Sequence, residues 1–293
     1  MKERSAAALL LLTSLIWGFS FVAQSVSSEL VGPFTFNSIR FLIGAAVLVP
    51  FCTRTLRKES RRPGWLKKTV LGGMACGLML ALASVAQQAG IATSGAGKGG
   101  FITSIYVVIV PFLSLITGSK VEGKTWIAAI AALAGMYLLC MGGESGISSG
   151  DLLLIVCAVF FSLHIMVIDH FSKDTDGIVL SMFQFLTAGI ITLPGMLIEG
   201  PPVSVLLSAW LPIVYAGALS CGVAYTLQVV GQKYVRPSHA VLILSLESVW
   251  AAIGGALMLG ERMSARELTG CVLVFLAVIA AQIELPGKRT SQQ

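Results

Sequence analysis

Long apolar runs, each about 20 residues, alternate with short polar stretches along the chain. A helix of about 20 residues is long enough to cross the hydrocarbon core of a bilayer. A transmembrane barrel would instead show shorter segments in which apolar and polar residues alternate. The pattern therefore predicts ten membrane-spanning helices, at residues 5–25, 33–52, 68–88, 96–117, 125–143, 150–170, 177–198, 208–230, 238–259 and 267–285.

The composition agrees with a protein embedded in lipid. The chain is 56% hydrophobic and 12% charged, and its mean hydropathy is +0.87. Soluble domains carry about 25% charged residues, so this chain has too few to cover a water-facing surface. Because backbone polar groups in lipid must be satisfied within the structure, we predict an all-α membrane protein. The short loops leave no room for a soluble catalytic domain.

The distribution of basic residues predicts the orientation of the chain. A net charge of +6 would suggest nucleic acid binding in a soluble protein, but the basic residues here lie between apolar runs. If the N-terminus is cytoplasmic, sixteen Lys and Arg residues lie on the cytoplasmic side and three on the other. This asymmetry predicts a multi-pass protein with both termini cytoplasmic. We expect a lipid bilayer and a small-molecule substrate as partners, no nucleic acid, and an oligomeric state compatible with a monomer.

The second half of the chain repeats the first at low identity. A shift of 144 residues aligns Leu9-Leu10 with Leu153-Leu154, Phe41-Leu42 with Phe185-Leu186, and Pro50 with Pro194. A shift of 145 aligns Cys76-Gly77 with Cys221-Gly222, and Gln87 with Gln232. Five spans in each half place the two halves upside-down relative to each other. We therefore predict two inverted five-helix repeats, residues 1–143 and residues 144–293 with a short cytoplasmic tail. Secondary transporters of this design bind substrate near the midplane between the repeats.

Local motifs add a family resemblance that covers nearly the whole chain. In chain order they are residues 14–21 (SLIWGFSF), Arg40-Phe41, residues 99–108 (GGFITSIYVV) with Pro111, residues 245–249 (SLESV) and residues 259–262 (LGER). Their order and spacing resemble the EamA family of the drug/metabolite transporter superfamily. One departure is Ser248-Val249, where the family often has proline. The resemblance implies a ten-helix bundle in the inner membrane that moves small organic solutes by alternating access, with export of an amino acid or related metabolite as our expectation.

Two ionisable residues inside predicted spans are the main candidates for chemistry. Glu247 lies near the middle of the ninth span, either as a proton-titrating or cation-binding carboxylate or as a structural carboxylate bonded to backbone or to Ser245. His164 lies in the middle of the sixth span and aligns with Ser20. It either binds substrate and titrates near neutral pH or is a buried neutral histidine bonded to a facing helix. We predict both Glu247 and His164 as substrate-binding and proton-coupling residues.

Two further basic residues lie in or at the mouth of a span. Lys98 follows a glycine-rich helix start whose N–H groups favour an anion, so it is a candidate anion-binding residue; the alternative is a snorkelling lysine. The spacing does not match a phosphate-binding P-loop. Arg40 aligns with Gln184, and we interpret it as a paired structural residue rather than a ligand.

Aromatic and amide side chains complete the predicted cavity, since apolar walls with a few polar groups suit a small organic solute. The full predicted substrate-binding set is Trp17, Ser20, Phe101, Tyr106, His164, Tyr225, Gln228 and Glu247. Trp250 is a further candidate. Plain helix packing is the alternative for each aromatic residue. The glycine pairs Gly73/Gly77 and Gly95/Gly99 are interpreted as points of close helix approach.

Two other function classes are less consistent with the sequence. Residues 146–150 match the GxSxG pattern of a nucleophile elbow, but no strand precedes them and no His or Asp partner lies nearby, so we predict no enzyme activity. A membrane scaffold would not need an inverted repeat or intramembrane polar groups. The six cysteines form no CxxC pair and are interpreted as buried apolar residues. No metal site and no cofactor is predicted.

Overall fold

The structure is a computed structural model that describes residues 3–140, 147–258 and 263–282, without the side chains of 96–98, 140 and 282. Within these ranges the regular elements are all helical. They are α1 (Glu3–Ser28), α2 (Pro33–Glu59), α3 (Trp65–Ser94), α4 (Ala96–Thr103), α5 (Tyr106–Ile116), α6 (Gly123–Cys140), α7 (Ser149–Ser172), α8 (Gly177–Glu199), α9 (Val203–Ser208), α10 (Trp210–Val214), the π-helix π1 (Tyr215–Tyr225), α11 (Thr226–Gln232), α12 (Pro237–Leu244), α13 (Glu247–Met258) and α14 (Ala265–Gln282).

Eight helical segments in the described ranges are long and apolar enough to cross a membrane. Three of them are composite: Gly99–Ile116 runs from α4 into α5, Trp210–Gln232 contains π1, and Pro237–Met258 joins α12 to α13. The apolar segment Gly123–Leu139 is shorter, and α14 packs along it. The predicted all-α class is confirmed. The count of ten spans and their arrangement as two inverted repeats stay predictions.

Helix α2 shows why apolar runs and helices differ in length. The run was predicted to end at residue 52, but the helix continues to Glu59. Arg, Leu, Lys and Glu are good helix formers, so the backbone stays helical after the apolar pattern has stopped. The chain then turns at Gly64, which has a φ of 76°, and α3 begins at Trp65.

Small residues allow the central helices to approach closely. A Cβ atom at Gly73 would lie 2.3 Å from the Cβ of Phe183, and one at Gly77 would lie 2.5 Å from the backbone oxygen of Gln184. This pair therefore brings α3 against α8, as expected for a GxxxG motif. Gly95 has a different role from the predicted one, because its φ of 77° turns the chain between α3 and α4 and a Cβ there would meet no atom within 4 Å.

Aromatic packing joins α2 to α8 in the core of the bundle. Phe41 of α2 stacks on Phe185 of α8 with ring centroids 6.3 Å apart and an interplanar angle of 8°. These two residues are aligned by the 144-residue shift, and both are fully buried. The core thus contains a direct contact between aligned positions of the two halves of the sequence.

Candidate functional site

Two helices are interrupted at corresponding places. The first break separates α4, which ends at Thr103, from α5, which begins at Tyr106. The second separates α12, which ends at Leu244, from α13, which begins at Glu247. A shift of 141 residues aligns Thr103 with Leu244 and Tyr106 with Glu247. Ser104 and Ser245 keep right-handed helical dihedral angles, so each interruption is a local irregularity within one span.

A hydrogen bond connects the two breaks. The Tyr106 hydroxyl donates to Oε1 of Glu247 at 2.8 Å, and both side chains are buried. Ser245, which the sequence offered as a partner for Glu247, instead donates to the backbone oxygen of Leu242 at 2.8 Å. The carboxyl group therefore contacts the aligned residue of the other half rather than its own helix.

A cavity of about 30 Å³ lies beside this hydrogen bond, enough for about two water molecules. The structure brings seven of the eight predicted substrate-binding residues to its wall: Trp17, Ser20, Tyr106, His164, Tyr225, Gln228 and Glu247. The other lining residues are Phe21, Gln24, Arg40, Gln87, Thr103, Phe161, Ile165, Ser220 and Leu244.

Helices α1 and α7 contribute matching faces to the cavity. Trp17, Ser20 and Phe21 of α1 follow the helical spacing of three and four residues and therefore share one face. The 144-residue shift aligns them with Phe161, His164 and Ile165 of α7, which also line the cavity. The cavity is thus built from three aligned pairs on these helices, in addition to Tyr106 and Glu247.

An amide and an aromatic ring contact His164. Its Nε2 lies 3.0 Å from Oε1 of Gln184, and its ring meets Tyr225 edge-on with centroids 6.1 Å apart. Trp17 also packs against Tyr225, with ring centroids 4.5 Å apart. Tyr225 and Ser220 both belong to π1, and π-helical turns occur frequently at functional sites. The histidine is therefore held between an amide and a ring, and its Nδ1 has no hydrogen-bond partner among the residues described.

Sixteen buried side-chain polar atoms have no hydrogen-bond partner among the residues described, and six of them belong to residues that line this cavity. Buried polar groups in folded proteins are nearly always hydrogen-bonded. The six atoms at the cavity are Trp17 Nε1, Ser20 Oγ, Gln24 Oε1, Arg40 Nη2, His164 Nδ1 and Gln228 Oε1. Such a set of donors and acceptors around one cavity is typical of a site that binds water or a polar ligand.

Two candidates lie elsewhere, and the side chain of a third is not described. Phe101 packs edge-on against Tyr137, with centroids 5.7 Å apart, and is not part of the cavity wall. Trp250 packs against Phe275 in the same way, also at 5.7 Å. The side chain of Lys98 falls outside the described residues, so its anion-binding role stays a prediction.

Several lining residues were not predicted from the sequence. Gln24 lies one turn after Ser20 on the same face of α1, so the helical period alone could have identified it. Thr103 lies one turn before Tyr106 and carries the same signal. The α-helical period could not have identified Ser220, because the direction of its side chain depends on the wider turns of π1.

The GxSxG match has a structural explanation. Ser148 is the N-cap of α7, and its Oγ accepts a hydrogen bond from the backbone N–H of Asp151 at 3.2 Å. The Asp151 carboxylate in turn accepts from the Ser148 N–H at 2.8 Å, which completes a capping box. Gly146 lies outside the described residues. The serine hydroxyl thus serves as a helix cap.

Comparisons with known proteins agree with this architecture. The model of the EamA-like transporter family matches residues 4–141 and 148–281. A protein of Archaeoglobus fulgidus named as an uncharacterized transporter is 30% identical over 277 residues, which cover 94% of this chain and 85% of that protein. The uncharacterized inner membrane transporter YedA of Escherichia coli is 21% identical over 272 residues, with coverages of 90% and 86%. A solved crystal structure, 20% identical, matches with a TM-score of 0.78 over 96% of this chain and 97% of that one, which shows a shared fold. This chain belongs to the EamA-like transporter family.

Proposed function

We propose that this protein is a secondary transporter that moves a small organic solute by alternating access, with amino acids or related metabolites as substrates and export as the direction. The observation that carries the proposal is the group of six unpartnered buried polar atoms around one cavity. Their surroundings are aromatic and aliphatic, and this combination of apolar wall and convergent polar groups suits a small organic molecule.

Alternating access requires two units that move against each other, and we propose residues 1–143 and 144–293 as inverted repeats with this role. Support comes from the two family matches along the chain and from the aligned pairs that line the cavity. Rocking of one repeat against the other would open the site to either side in turn. Under this proposal, a cavity as small as about 30 Å³ would belong to a contracted conformation between those openings.

Coupling to protons is the proposed role of Glu247 and His164. Both are buried ionisable groups at the cavity wall, and such groups in membranes mark proton and substrate pathways. The hydrogen bond from Tyr106 ties the Glu247 carboxyl group to the other half of the chain. A change in protonation there would alter a contact between the halves, which is the link that coupling needs.

We further propose an inner-membrane location with both termini in the cytoplasm and Lys98 as an anion-binding residue at the mouth of the fourth span. The excess of basic residues on one side supports the orientation. The printed name of the Escherichia coli relative, an inner membrane transporter, supports the location.

The test has two steps. The purified protein is first screened by thermal unfolding against amino acids, amines, sugars and drug-like cations, because a ligand that binds the native state raises the melting temperature. Flux of the best ligand is then measured in liposomes for wild type, Glu247→Gln and His164→Ala over a range of pH. Glu122→Gln is the matched control, since Glu122 is half-exposed and pairs with Arg236 at 3.0 Å, away from the cavity.

We expect both cavity variants to fold but to transport more slowly or with a changed pH dependence, while the control behaves as wild type. Wild-type flux and unchanged pH dependence in both cavity variants would contradict the proposed coupling. If no solute class raises the melting temperature and none is transported, the proposal of a small-solute transporter is wrong.

A further inference from the structure

Arg40 is a buried cation at the wall of the central cavity. It lies in α2 with 2% of its surface exposed, and it is the largest fully buried side chain among the residues described. A guanidinium group does not lose its proton in proteins, so the positive charge remains in this apolar interior. An ionised group in a membrane protein needs a partner or a water-filled space.

The neighbours of Arg40 are neutral. Its Nε donates to Oδ1 of Asn37 at 3.0 Å. The guanidinium carbon lies 5.0 Å from the ring centroid of Phe36 and 4.9 Å from that of Phe41. Its Nη2 is buried and has no hydrogen-bond partner in the described part of the chain. The sequence suggested a paired structural arginine, but these contacts supply one amide oxygen and two aromatic faces instead of a charge.

Acidic residues do not balance this cation directly. Across residues 3–140, 147–258 and 263–282, the ion pairs within 4 Å do not include Arg40. Glu247 lines the same cavity, but its hydrogen bond goes to Tyr106. The cavity wall therefore includes a cation whose Nη2 atom has no hydrogen-bond acceptor among the described residues.

We propose that Arg40 binds an anionic group of the transported solute, and that this group is a carboxylate. The inference rests on the proposed transport function and narrows its substrate class to organic acids and amino acids. Asn37 occupies the Nε side of the guanidinium, which leaves the terminal nitrogens to donate to the two oxygens of a carboxylate in the paired geometry that arginine favours. Trp17 Nε1, an unpartnered donor on the same cavity wall, suits the same kind of acceptor.

The two halves of the chain differ at the position of Arg40, and only the first half has a positive charge there. The residue aligned with Arg40 is Gln184, which bonds His164. The residue aligned with Glu247 is Tyr106. One half therefore supplies the cavity's cation and the other supplies its carboxyl group, so the site can orient a solute that has a negative end.

The experiment compares matched ligands that differ only at the proposed anionic group. Small, aliphatic and aromatic amino acids are each titrated beside their carboxamides and their decarboxylated amines, and binding is followed by thermal shift and by tryptophan fluorescence, since Trp17 lines the cavity. Hydrogen bonds to charged groups correspond to roughly tenfold or more in affinity. We expect at least one acid to bind the wild-type protein about tenfold more tightly than its amide and its amine.

Two variants test whether Arg40 causes the preference for acids over amides and amines. Arg40→Gln introduces the side chain that the second half has at the aligned position, and we expect it to bind acid and amide equally. Arg40→Lys keeps the positive charge but loses the paired N–H groups of the guanidinium, and we expect it to retain part of the preference for acids over amides. The wild-type comparison needs no variant, so it remains decisive if Arg40→Gln does not fold.

Each contrary result has its own meaning. Equal binding of acids and amides to the wild-type protein would overturn the role of Arg40, as would an acid preference that survives in folded Arg40→Gln. Binding and transport of amines or neutral solutes alone would overturn this inference and leave the proposed transport function intact. Absence of binding and flux for every ligand class would overturn both.

Discussion

The contact between α1 and α13 gives a quantitative prediction through Gly18. A Cβ atom at this position would lie 2.2 Å from the Cβ of Trp250 and 2.8 Å from the backbone nitrogen of Ala251. Ordinary contacts begin at 3.4 Å, so Gly18→Ala requires the two helices to separate by about 1.2 Å, a form of overpacking. The clash involves a Cβ and backbone, so no side-chain rotation relieves it.

The expected cost follows from two opposing effects. Overpacking in a tight core costs about 1–3 kcal/mol, while replacing glycine by alanine in a helix gains about 0.5–1 kcal/mol. The difference is a net loss of up to about 2.5 kcal/mol, which should lower the melting temperature by a few degrees. Ligand binding should also weaken, because the neighbouring residue Trp17 forms part of the cavity wall.

Thermal unfolding in detergent micelles measures the effect against two controls. Gly254→Ala lies at the same contact, but its Cβ would be 3.2 Å from the ring edge of Phe19, which can shift. Gly123→Ala meets no atom within 4 Å. We expect the lowest melting temperature for Gly18→Ala and near wild-type values for both controls. A Gly18→Ala protein as stable as Gly123→Ala would refute the close contact between α1 and α13.

Two further predictions concern polar contacts. Tyr106→Phe removes the hydrogen-bond donor to buried Glu247, so it should lower the stability by about 1.5–3 kcal/mol and reduce flux. Tyr137→Phe is the control, because Tyr137 is half-exposed on α6, and it should change neither stability nor flux. Equal melting temperatures of the two variants would count against the hydrogen bond. In the turn between α7 and α8, the pKa of the Asp174 carboxyl group is lowered by the hydrogen bond from Lys68 and by the charge of that lysine. The pair therefore stabilises the fold above the ordinary carboxyl pKa and loses that effect as the pH falls through the lowered one. Lys68→Gln should therefore melt slightly below wild type at about pH 7, with a difference that shrinks toward about pH 3 and in high salt; a difference that grows in acid would contradict this sign.

Much of the fold was predictable from the sequence because lipid makes each span a continuous apolar run. The run from residue 238 to 259 identified a helix and placed Glu247 near its middle. It gave no sign of the break before Glu247, since Ser245 and Leu246 interrupt the helix without changing the apolar pattern. The π-helical turns at Tyr215–Tyr225 are equally invisible to a pattern with the α-helical period.

The candidate site was predictable to the extent that residues share a helix face. Trp17 and Ser20 were found together because they lie one turn apart. The contact of Tyr106 with Glu247 was not predictable, because 141 residues separate them and their meeting depends on how the two halves pack. For the same reason the sequence could not show that Arg40 lacks an acidic partner.

The most direct test of alternating access is the accessibility of one cavity position from both sides of the membrane. Ser20→Cys, in a variant whose six native cysteines are replaced by alanine, is treated with a membrane-impermeant thiol reagent in oriented vesicles. Ser14→Cys is the control on the same helix, since Ser14 is buried and bonds the backbone oxygen of Leu11 at 2.7 Å, and it does not line the cavity. The account predicts that Ser20→Cys reacts from either face while Ser14→Cys does not. Reaction from one face only, or from neither face, would contradict it.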